Sequence, residues 1–110
     1  MTVLELAEKH GFSALCLPEP EREVRGCYIG DLLRWVMGRA QGDNVWITIM
    51  SNVNVLAVAS LSDVSAVLLV EGVTLDGELL RTAEQKGVNV LSAACSAYEA
   101  AVAIAGDVGR

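Results

Sequence analysis

The stretch from Asn44 to Gly72 constrains the fold of this chain more than any other part of the sequence. It contains two short apolar segments rich in β-branched residues, at 45–50 and 64–70, with an alanine- and leucine-rich segment at 55–62 between them. Short apolar runs bounded by turn residues are typical of strands that are buried on both faces of a sheet. The middle segment is too long for a tight turn and suits a crossover helix. The stretch therefore predicts a βαβ unit, in which the two strands are parallel.

The rest of the sequence predicts further helices and strands around this unit. Counted from their capping residues, helices are expected at 2–10, 31–40, 52–61, 74–86 and 96–105, and strands at 13–17, 24–28, 46–50, 66–70 and 88–91. The last three strands alternate with helices through short connections, so they are predicted to be mutually parallel. We therefore expect one α/β domain across residues 1–110, a small βαβ sandwich of two or three layers around a parallel sheet. The residues after 105 are expected to fray.

Side chains that can cap a helix precede several of these helices. Thr2 and Ser96 each stand three residues before a glutamate, which is the capping-box pattern. Asp31 can cap the second helix, and either Thr74 or Asp76 can cap the fourth. These positions predict where the helices begin.

Composition and charge argue against several classes of protein. Hydrophobic residues make up 53% of the chain and charged residues 20%, a balance that allows a buried core. The net charge of −6 argues against nucleic acid and anionic membranes as partners. The longest apolar runs are much too short to span a membrane, and the first residues lack the basic and apolar regions of a signal peptide. We therefore expect a cytoplasmic protein.

No pattern in the sequence predicts a metal site, a cofactor or a catalytic residue. Cys16, Cys27 and Cys95 fit neither a zinc site nor a disulfide framework, and we expect them to be reduced and buried. His10 stands at a predicted helix end, where the helix dipole favours a basic residue. Ser92, like Cys95, lacks a candidate general base nearby in the sequence.

Polar residues that follow the predicted strands form the candidate ligand site. Ser51, Asn52 and Asn54 lie between the first strand of the central unit and its helix, where the amide groups of a helix N-terminus attract phosphate or carboxylate. Gly72 and Ser92 follow the other two parallel strands and should reach the same edge of the sheet. The alternative is that Ser51 or Asn52 only caps the helix.

The helix at 52–61 and the side chain of Trp35 predict self-association. Apolar residues, among them Val55 and Val58, surround nearly the whole circumference of this helix, and such a helix is normally buried on all sides. Trp35 projects from the outer side of its own helix. We therefore predict a homodimer with Trp35, Val55 and Val58 at the interface, because tryptophan is enriched in binding hot spots. The alternative is that Trp35 folds over the loop at 18–20 within one subunit.

The sequence also resembles a known family. The segment 26–40, which reads GCYIGDLLRWVMGRA, is similar to the first conserved block of the DRTGG domain. The resemblance continues through the strand, turn and helix of the central unit, through 69–72, and through 90–92 followed by 96–99. It covers nearly the whole chain. It implies a small α/β module that is similar to the N-terminal domain of the HPr kinase/phosphorylase.

The resemblance implies a regulatory role rather than a catalytic one. DRTGG modules occur fused to phosphate acetyltransferases and between paired CBS domains. Small stand-alone versions, which this chain most resembles, are expected in anaerobic bacteria near genes for iron-only hydrogenases. The phosphate-binding glycine loop of the kinase lies in its other domain and is absent from this sequence, so we expect no kinase activity.

One turn departs from the family pattern. Family members often carry an Asp-Arg turn after the central strand, where this chain has the neutral, amide-rich turn from Ser51 to Asn54. An anion site at this turn therefore cannot use that arginine.

Three functions remain open from the sequence, of which a small enzyme ranks last because no candidate acid–base pair is found. The first is a non-catalytic regulatory or ligand-sensing module, homodimeric, that responds to a nucleotide or a phosphorylated metabolite and is linked to iron-only hydrogenase or energy metabolism. The second is a protein-interaction subunit without a small-molecule ligand, whose partner would be a hydrogenase-related protein.

Overall fold

The computed structural model describes residues 1–109, which form an α/β fold of five strands and five helices. The strands are β1 (Ser13–Cys16), β2 (Cys27–Ile29), β3 (Val45–Thr48), β4 (Ala66–Leu69) and β5 (Val90–Ser92). The helices are α1 (Val3–His10), α2 (Leu33–Arg39), α3 (Val53–Ser62), α4 (Gly77–Lys86) and α5 (Ala97–Val108). These elements agree with the predicted ones in type and order. None of the helices in this part of the chain is long and apolar enough to cross a membrane.

The five strands form one sheet in the order β1-β5-β4-β3-β2. Strands β2, β3, β4 and β5 run parallel, and β1 pairs with β5 in the antiparallel direction. The prediction that the strands near 46–50, 66–70 and 88–91 are mutually parallel is therefore confirmed. Because each of the strands from β3 to β5 lies beside the one before it, the helices that connect β2 to β5 all cross on the same side of the sheet.

Alternate side chains of the central strands enter two different cores. Val45 and Ile47 of β3 point to the face that α1 and α5 cover, whereas Trp46 points to the face that α2, α3 and α4 cover. Strands β4 and β5 alternate in the same way. The result is a three-layer structure in which every residue of β3 and β4 is at most 2% exposed. Burial on both faces explains why these two strands read as nearly continuous apolar runs.

The helix ends agree with most of the predicted caps. Thr2 and Ser96 both form the predicted capping boxes. Helix α4 is capped by Asp76 rather than by Thr74, and the Asp76 carboxylate accepts a hydrogen bond of 2.9 Å from the amide of Leu79. The local sequence is therefore sufficient to locate these helix starts.

The C-terminal residues are more ordered than the sequence predicted. Helix α5 continues to Val108, whose side chain is 7% exposed, and the amide of Gly26 donates a hydrogen bond of 2.7 Å to the Val108 carbonyl. The prediction of fraying was wrong for residues 106–108, because their contacts come from distant parts of the chain. Arg110, the last residue of that segment, lies outside the described residues.

A cluster of charged side chains joins the last turns of α1 and α5. The Asp107 carboxylate lies 2.6 Å from the Nζ of Lys9 and 2.6 Å from the Nε2 of His10. The His10 ring also stacks on Phe12, with 5.6 Å between the ring centroids. His10 stands at a helix end, as the sequence predicts, and its acidic partner is 97 residues away along the chain.

The Asp107 cluster predicts how acid affects stability. Hydrogen bonds from Lys9 and His10 hold the pKa of the Asp107 carboxyl below its ordinary value of 3.8. A carboxyl whose pKa is lowered by folding stabilises the folded state above its unfolded-state pKa, and this contribution is lost as the pH falls through the folded-state pKa. Asp107→Asn should therefore be less stable than the wild type at neutral pH, and the difference should shrink as the pH falls below 3.8.

Urea unfolding at a series of pH values from neutral to strongly acidic measures this difference. Glu8→Gln, which changes an exposed carboxyl on α1, is the matched control and should leave the acid profile unchanged. A difference between the wild type and Asp107→Asn that stays constant at every pH would contradict the assignment.

Candidate functional site

The parallel strands bring the predicted ligand residues to one edge of the sheet. Ser51, Asn52 and Asn54 follow β3, Gly72 follows β4, and Ser92 ends β5. These three strands are neighbours, so the five residues lie along a single edge, here called the carboxyl edge. Their role in binding a ligand stays a prediction.

Asn52 caps helix α3. Its side-chain oxygen accepts hydrogen bonds from the amides of Asn54 and Val55, at 3.0 and 3.3 Å. These amides are among the groups that an anion at a helix N-terminus would use. The side chains of Ser51 and Asn54 are exposed. The structure therefore shows the capping role of Asn52, and an anion at this helix would have to compete with its side chain.

Backbone hydrogen bonds close the crevice between β4 and β5. The loop after β4 leads to α4 on one face of the sheet, and the loop after β5 leads to α5 on the other, an arrangement that usually leaves a ligand-binding crevice. Here the Glu71 amide donates to the Cys95 carbonyl at 2.8 Å, and the Gly72 amide donates to the Ala93 carbonyl at 3.0 Å. Both donors have positive φ angles, 59° and 73°, and this left-handed conformation is uncommon for a glutamate.

Ser92 takes part in the same closure. Its hydroxyl donates a hydrogen bond of 3.0 Å to the carbonyl of Val73 in the loop after β4, and the residue is 7% exposed. Since the Gly72 amide and the Ser92 hydroxyl are both bonded within the chain, a ligand that used them would have to break these bonds first.

Asp31 belongs to this edge in a role that the sequence did not predict. It does not cap α2, whose N-cap is Leu32 without a side-chain hydrogen bond. Instead, its carboxylate accepts hydrogen bonds from the Thr48 hydroxyl at 2.7 Å and from the Ile49 amide at 3.0 Å. The predicted cap was wrong because the neighbouring strand β3 supplies donors for the same carboxylate, and a local pattern carries no information about that strand.

Exposed apolar side chains surround this part of the carboxyl edge. They lie at the end of β2, just after β3, and at the starts of α2 and α3, and we call them the apolar patch: Ile29, Leu32, Trp35, Ile49 and Val53. Each is between 47% and 54% exposed. Exposed apolar surface often marks an interaction site, and these five residues are the candidates for one at this edge.

Trp35 is exposed, as its predicted position on the outer side of α2 requires. Its exposure of 51% does not support the alternative in which the loop at 18–20 covers it. The guanidinium carbon of Arg39 lies 3.9 Å from the centroid of the indole ring, which is a cation–π contact. The remaining surface of Trp35 is available to a partner.

Val55 and Val58 are not surface residues, and their predicted place in a dimer interface needs correction. They are 1% and 7% exposed and pack in the core between α3 and the sheet. Helices α2 and α4 flank α3 on its two sides, so the subunit itself covers most of this apolar helix. The large apolar residues that α3 does expose are Val53 and Leu61, the latter at 72%. A charge introduced at Val58 would disturb the core and would not test an interface.

Cavities are found at the opposite edge of the sheet, where the parallel strands begin, here called the amino edge. Cavities of 440 and 230 Å³ adjoin Arg22 and Asp63, and one of 490 Å³ adjoins Arg25 and Arg39. Arg22 pairs with Asp43 at 3.1 Å and with Asp63 at 2.9 Å, so its charge is compensated. This edge was not predicted as a site from the sequence, because ligands of α/β sheets usually bind at the carboxyl ends of the strands.

Two of the cysteine thiols are protonated at neutral pH. Burial, and then the Glu84 carboxylate 3.3 Å from the Cys16 Sγ, raise the pKa of Cys16 to about 11. Burial raises the pKa of Cys27 to about 11 as well. Protonated thiols are poor nucleophiles and poor metal ligands. Within residues 1–109, no group of three or more His, Cys, Asp or Glu side chains is arranged to hold a metal ion.

Comparison with solved structures identifies the fold. No protein-family model matches the sequence, and no curated protein matches it either. Among solved structures, the chain is similar to the crystal structure of the CBS and DRTGG domains of the regulatory region of Clostridium perfringens pyrophosphatase, complexed with its activator diadenosine tetraphosphate. The TM-score is 0.72, and the similarity covers 92% of this chain. The chain has a DRTGG-like fold.

This similarity concerns the fold, because the sequence identity is 12%. The DRTGG-like chain spans 44% of the length of the pyrophosphatase regulatory structure. The fold that the sequence resemblance implied is therefore confirmed.

Asp31→Ala should destabilise the DRTGG-like fold. The substitution removes the acceptor of a buried hydroxyl and of a backbone amide, so we expect the free energy of unfolding to fall by about 1 to 3 kcal/mol. Urea unfolding measures the loss. Asp31→Asn keeps an acceptor oxygen and should lose less. Equal stability of Asp31→Ala and the wild type would show that these bonds do not hold the end of β2 to β3.

Proposed function

We propose that this chain is a non-catalytic regulatory module that senses a ligand, works as a homodimer and acts in the cytoplasm. The observation that carries the proposal is the similarity, at a TM-score of 0.72 over 92% of the chain, to part of a pyrophosphatase regulatory region. That region was complexed with its activator, diadenosine tetraphosphate. A nucleotide or a phosphorylated metabolite is therefore the ligand class to test first.

The carboxyl edge supports the non-catalytic part of the proposal. In enzymes with parallel sheets this edge usually presents free polar groups to a substrate. Here the side chain of Asn52, the amide of Gly72 and the hydroxyl of Ser92 all form hydrogen bonds within the chain. These bonds engage polar groups that a substrate at this edge would need, which favours a module without a catalytic site there.

Thermal unfolding with candidate ligands tests the sensing role. A ligand that binds only the folded state stabilises it by about 2.7 kcal/mol at a concentration of 100 times Kd. For a chain of this size such a gain raises the Tm by several degrees. We expect diadenosine tetraphosphate, ATP, ADP or AMP to raise the Tm, whereas adenosine, which lacks phosphate, serves as the control. The absence of any shift at millimolar concentrations would contradict ligand sensing.

The apolar patch supports the homodimer. Its five side chains leave about half of their surface exposed, and a twofold arrangement would cover the patch with a second copy of itself. Trp35, one of these five residues, is the kind of aromatic residue that dominates binding hot spots.

The same patch also favours the second candidate function, a protein-interaction subunit without a small-molecule ligand. In that case the patch would bind a different protein. The family resemblance makes a hydrogenase-related protein the first partner to test, and it links the module to iron-only hydrogenase or energy metabolism in either case.

Substitution of Val53 tests whether the patch joins two copies of the chain. We expect the wild type to have the mass of two chains by light scattering at tens of micromolar. Val53→Glu places a charge in the patch, so it should have the mass of one chain, and a negative charge in the first turn of α3 is compatible with the helix dipole. Leu61→Glu on the same helix, outside the patch, is the matched control and should stay dimeric. A wild type with the mass of one chain would contradict the homodimer and favour the second function.

A further inference from the structure

The largest of the described cavities lies at the amino edge, beside the start of β2. Its volume of 490 Å³ falls in the range of small-ligand sites, roughly 300 to 1,000 Å³. Arg25, Tyr28, Arg39 and Gln41 are among the residues that line it. The walls therefore combine two guanidinium groups with an aromatic ring and an amide.

The charges of the two arginines in this cavity are not neutralised by a salt bridge within the described residues. Within residues 1–109 neither Arg25 nor Arg39 forms a salt bridge, whereas Arg22 pairs with two aspartates. The one acidic residue in the cavity wall, Asp43, lies 3.1 Å from Arg22 and shares that guanidinium with Asp63, so its negative charge is partly compensated. Helix α2 itself contains no acidic residue and carries a further arginine, Arg34. In a chain of net charge −6, helix α2 is therefore a locally positive element beside the cavity.

Contacts within the chain restrain the Arg39 guanidinium and the backbone of Arg25 before any ligand arrives. The Arg39 guanidinium stacks on the ring of Trp35 at 3.9 Å. The backbone at Arg25 is held by two hydrogen bonds of 2.8 Å, from its amide to the Asp43 carbonyl and from the Asn44 side chain to its carbonyl. Groups that are fixed in this way lose less conformational freedom when they bind.

The Tyr28 ring forms an apolar side of the cavity. It packs against the core beneath α2 and lies so close to Gly30 that a Cβ at that glycine would come within 2.8 Å of the ring carbon Cε2. The position of the ring is therefore set by the fold. A ring in this position can contact a planar base or a sugar next to an anion.

We propose that this cavity binds an organic phosphate, with Arg25 and Arg39 holding the phosphate group and Tyr28 contacting the organic part. Guanidinium groups match phosphate oxygens with paired, charge-assisted hydrogen bonds, which makes arginine the preferred residue for this ligand class. The inference rests on the proposed ligand-sensing function and places the ligand at the amino edge, away from the predicted residues of the carboxyl edge.

Titration calorimetry at low salt tests the site, with ATP, inorganic pyrophosphate and adenosine as probes. Arg25→Gln and Arg39→Gln should each weaken ATP binding about 10- to 100-fold, because each removes charge-assisted hydrogen bonds to phosphate. Arg34→Gln is the matched control, since it removes the same charge from α2 at a residue outside the cavity wall, and it should change the affinity less than about threefold. Thermal unfolding should show that all three variants stay folded, because the three side chains are exposed.

The probes separate the parts of the proposal. If ATP binds more tightly than pyrophosphate and Tyr28→Leu removes this difference in affinity, the contact of Tyr28 to the organic part is supported. If the two probes bind equally, that contact is overturned and a phosphate site remains. Binding of ATP that survives in the double variant Arg25→Gln/Arg39→Gln overturns this site and leaves ligand sensing intact. A wild type that binds neither ATP nor pyrophosphate overturns the site, and a Tm shift with other ligands then decides the sensing function separately.

Discussion

The burial of β3 and β4 on both faces of the sheet is the constraint on which the rest of the structure depends. The largest of their side chains, Trp46, is fully buried, and its indole N–H donates a hydrogen bond of 2.9 Å to the Gly30 carbonyl. A buried indole needs such a partner, so this bond ties the loop after β2 to the core. Gly30 also has to remain without a side chain because the Tyr28 ring lies against it. The core therefore fixes the position of the loop that leads from β2 into α2.

Burial of the sheet on both faces also determines which groups are exposed at each of its edges. Helices must cover both faces, so the loops after β4 and β5 leave the carboxyl edge in opposite directions. Hydrogen bonds between those loops close the crevice, and the exposed apolar patch lies on the neighbouring surface. Charged side chains and cavities gather instead at the amino edge, around Arg22, Arg25 and Arg39.

Helix α2 connects the two surfaces for which functions are proposed. Its Arg39 lines the cavity at the amino edge and also stacks on Trp35, which belongs to the apolar patch near the carboxyl edge. A phosphate held by the Arg39 guanidinium would lie beside the cation–π contact of that group to Trp35. Ligand binding and association through the patch would then share one side chain, which is a physical basis for regulation by a module without catalytic groups.

The sequence alone determined the type and order of the helices and strands, the parallel central strands and the capping boxes at Thr2 and Ser96. These features depend on periodicity, turn residues and caps, which act over a few neighbouring residues. It also placed the five candidate ligand residues on one edge, since that follows from strand direction. Only the tertiary structure decided that Asp31 bonds to β3, that α2 and α4 cover Val55 and Val58, and that both cavity arginines meet at the amino edge. These outcomes depend on contacts between residues far apart in the chain, and no local spacing encodes them.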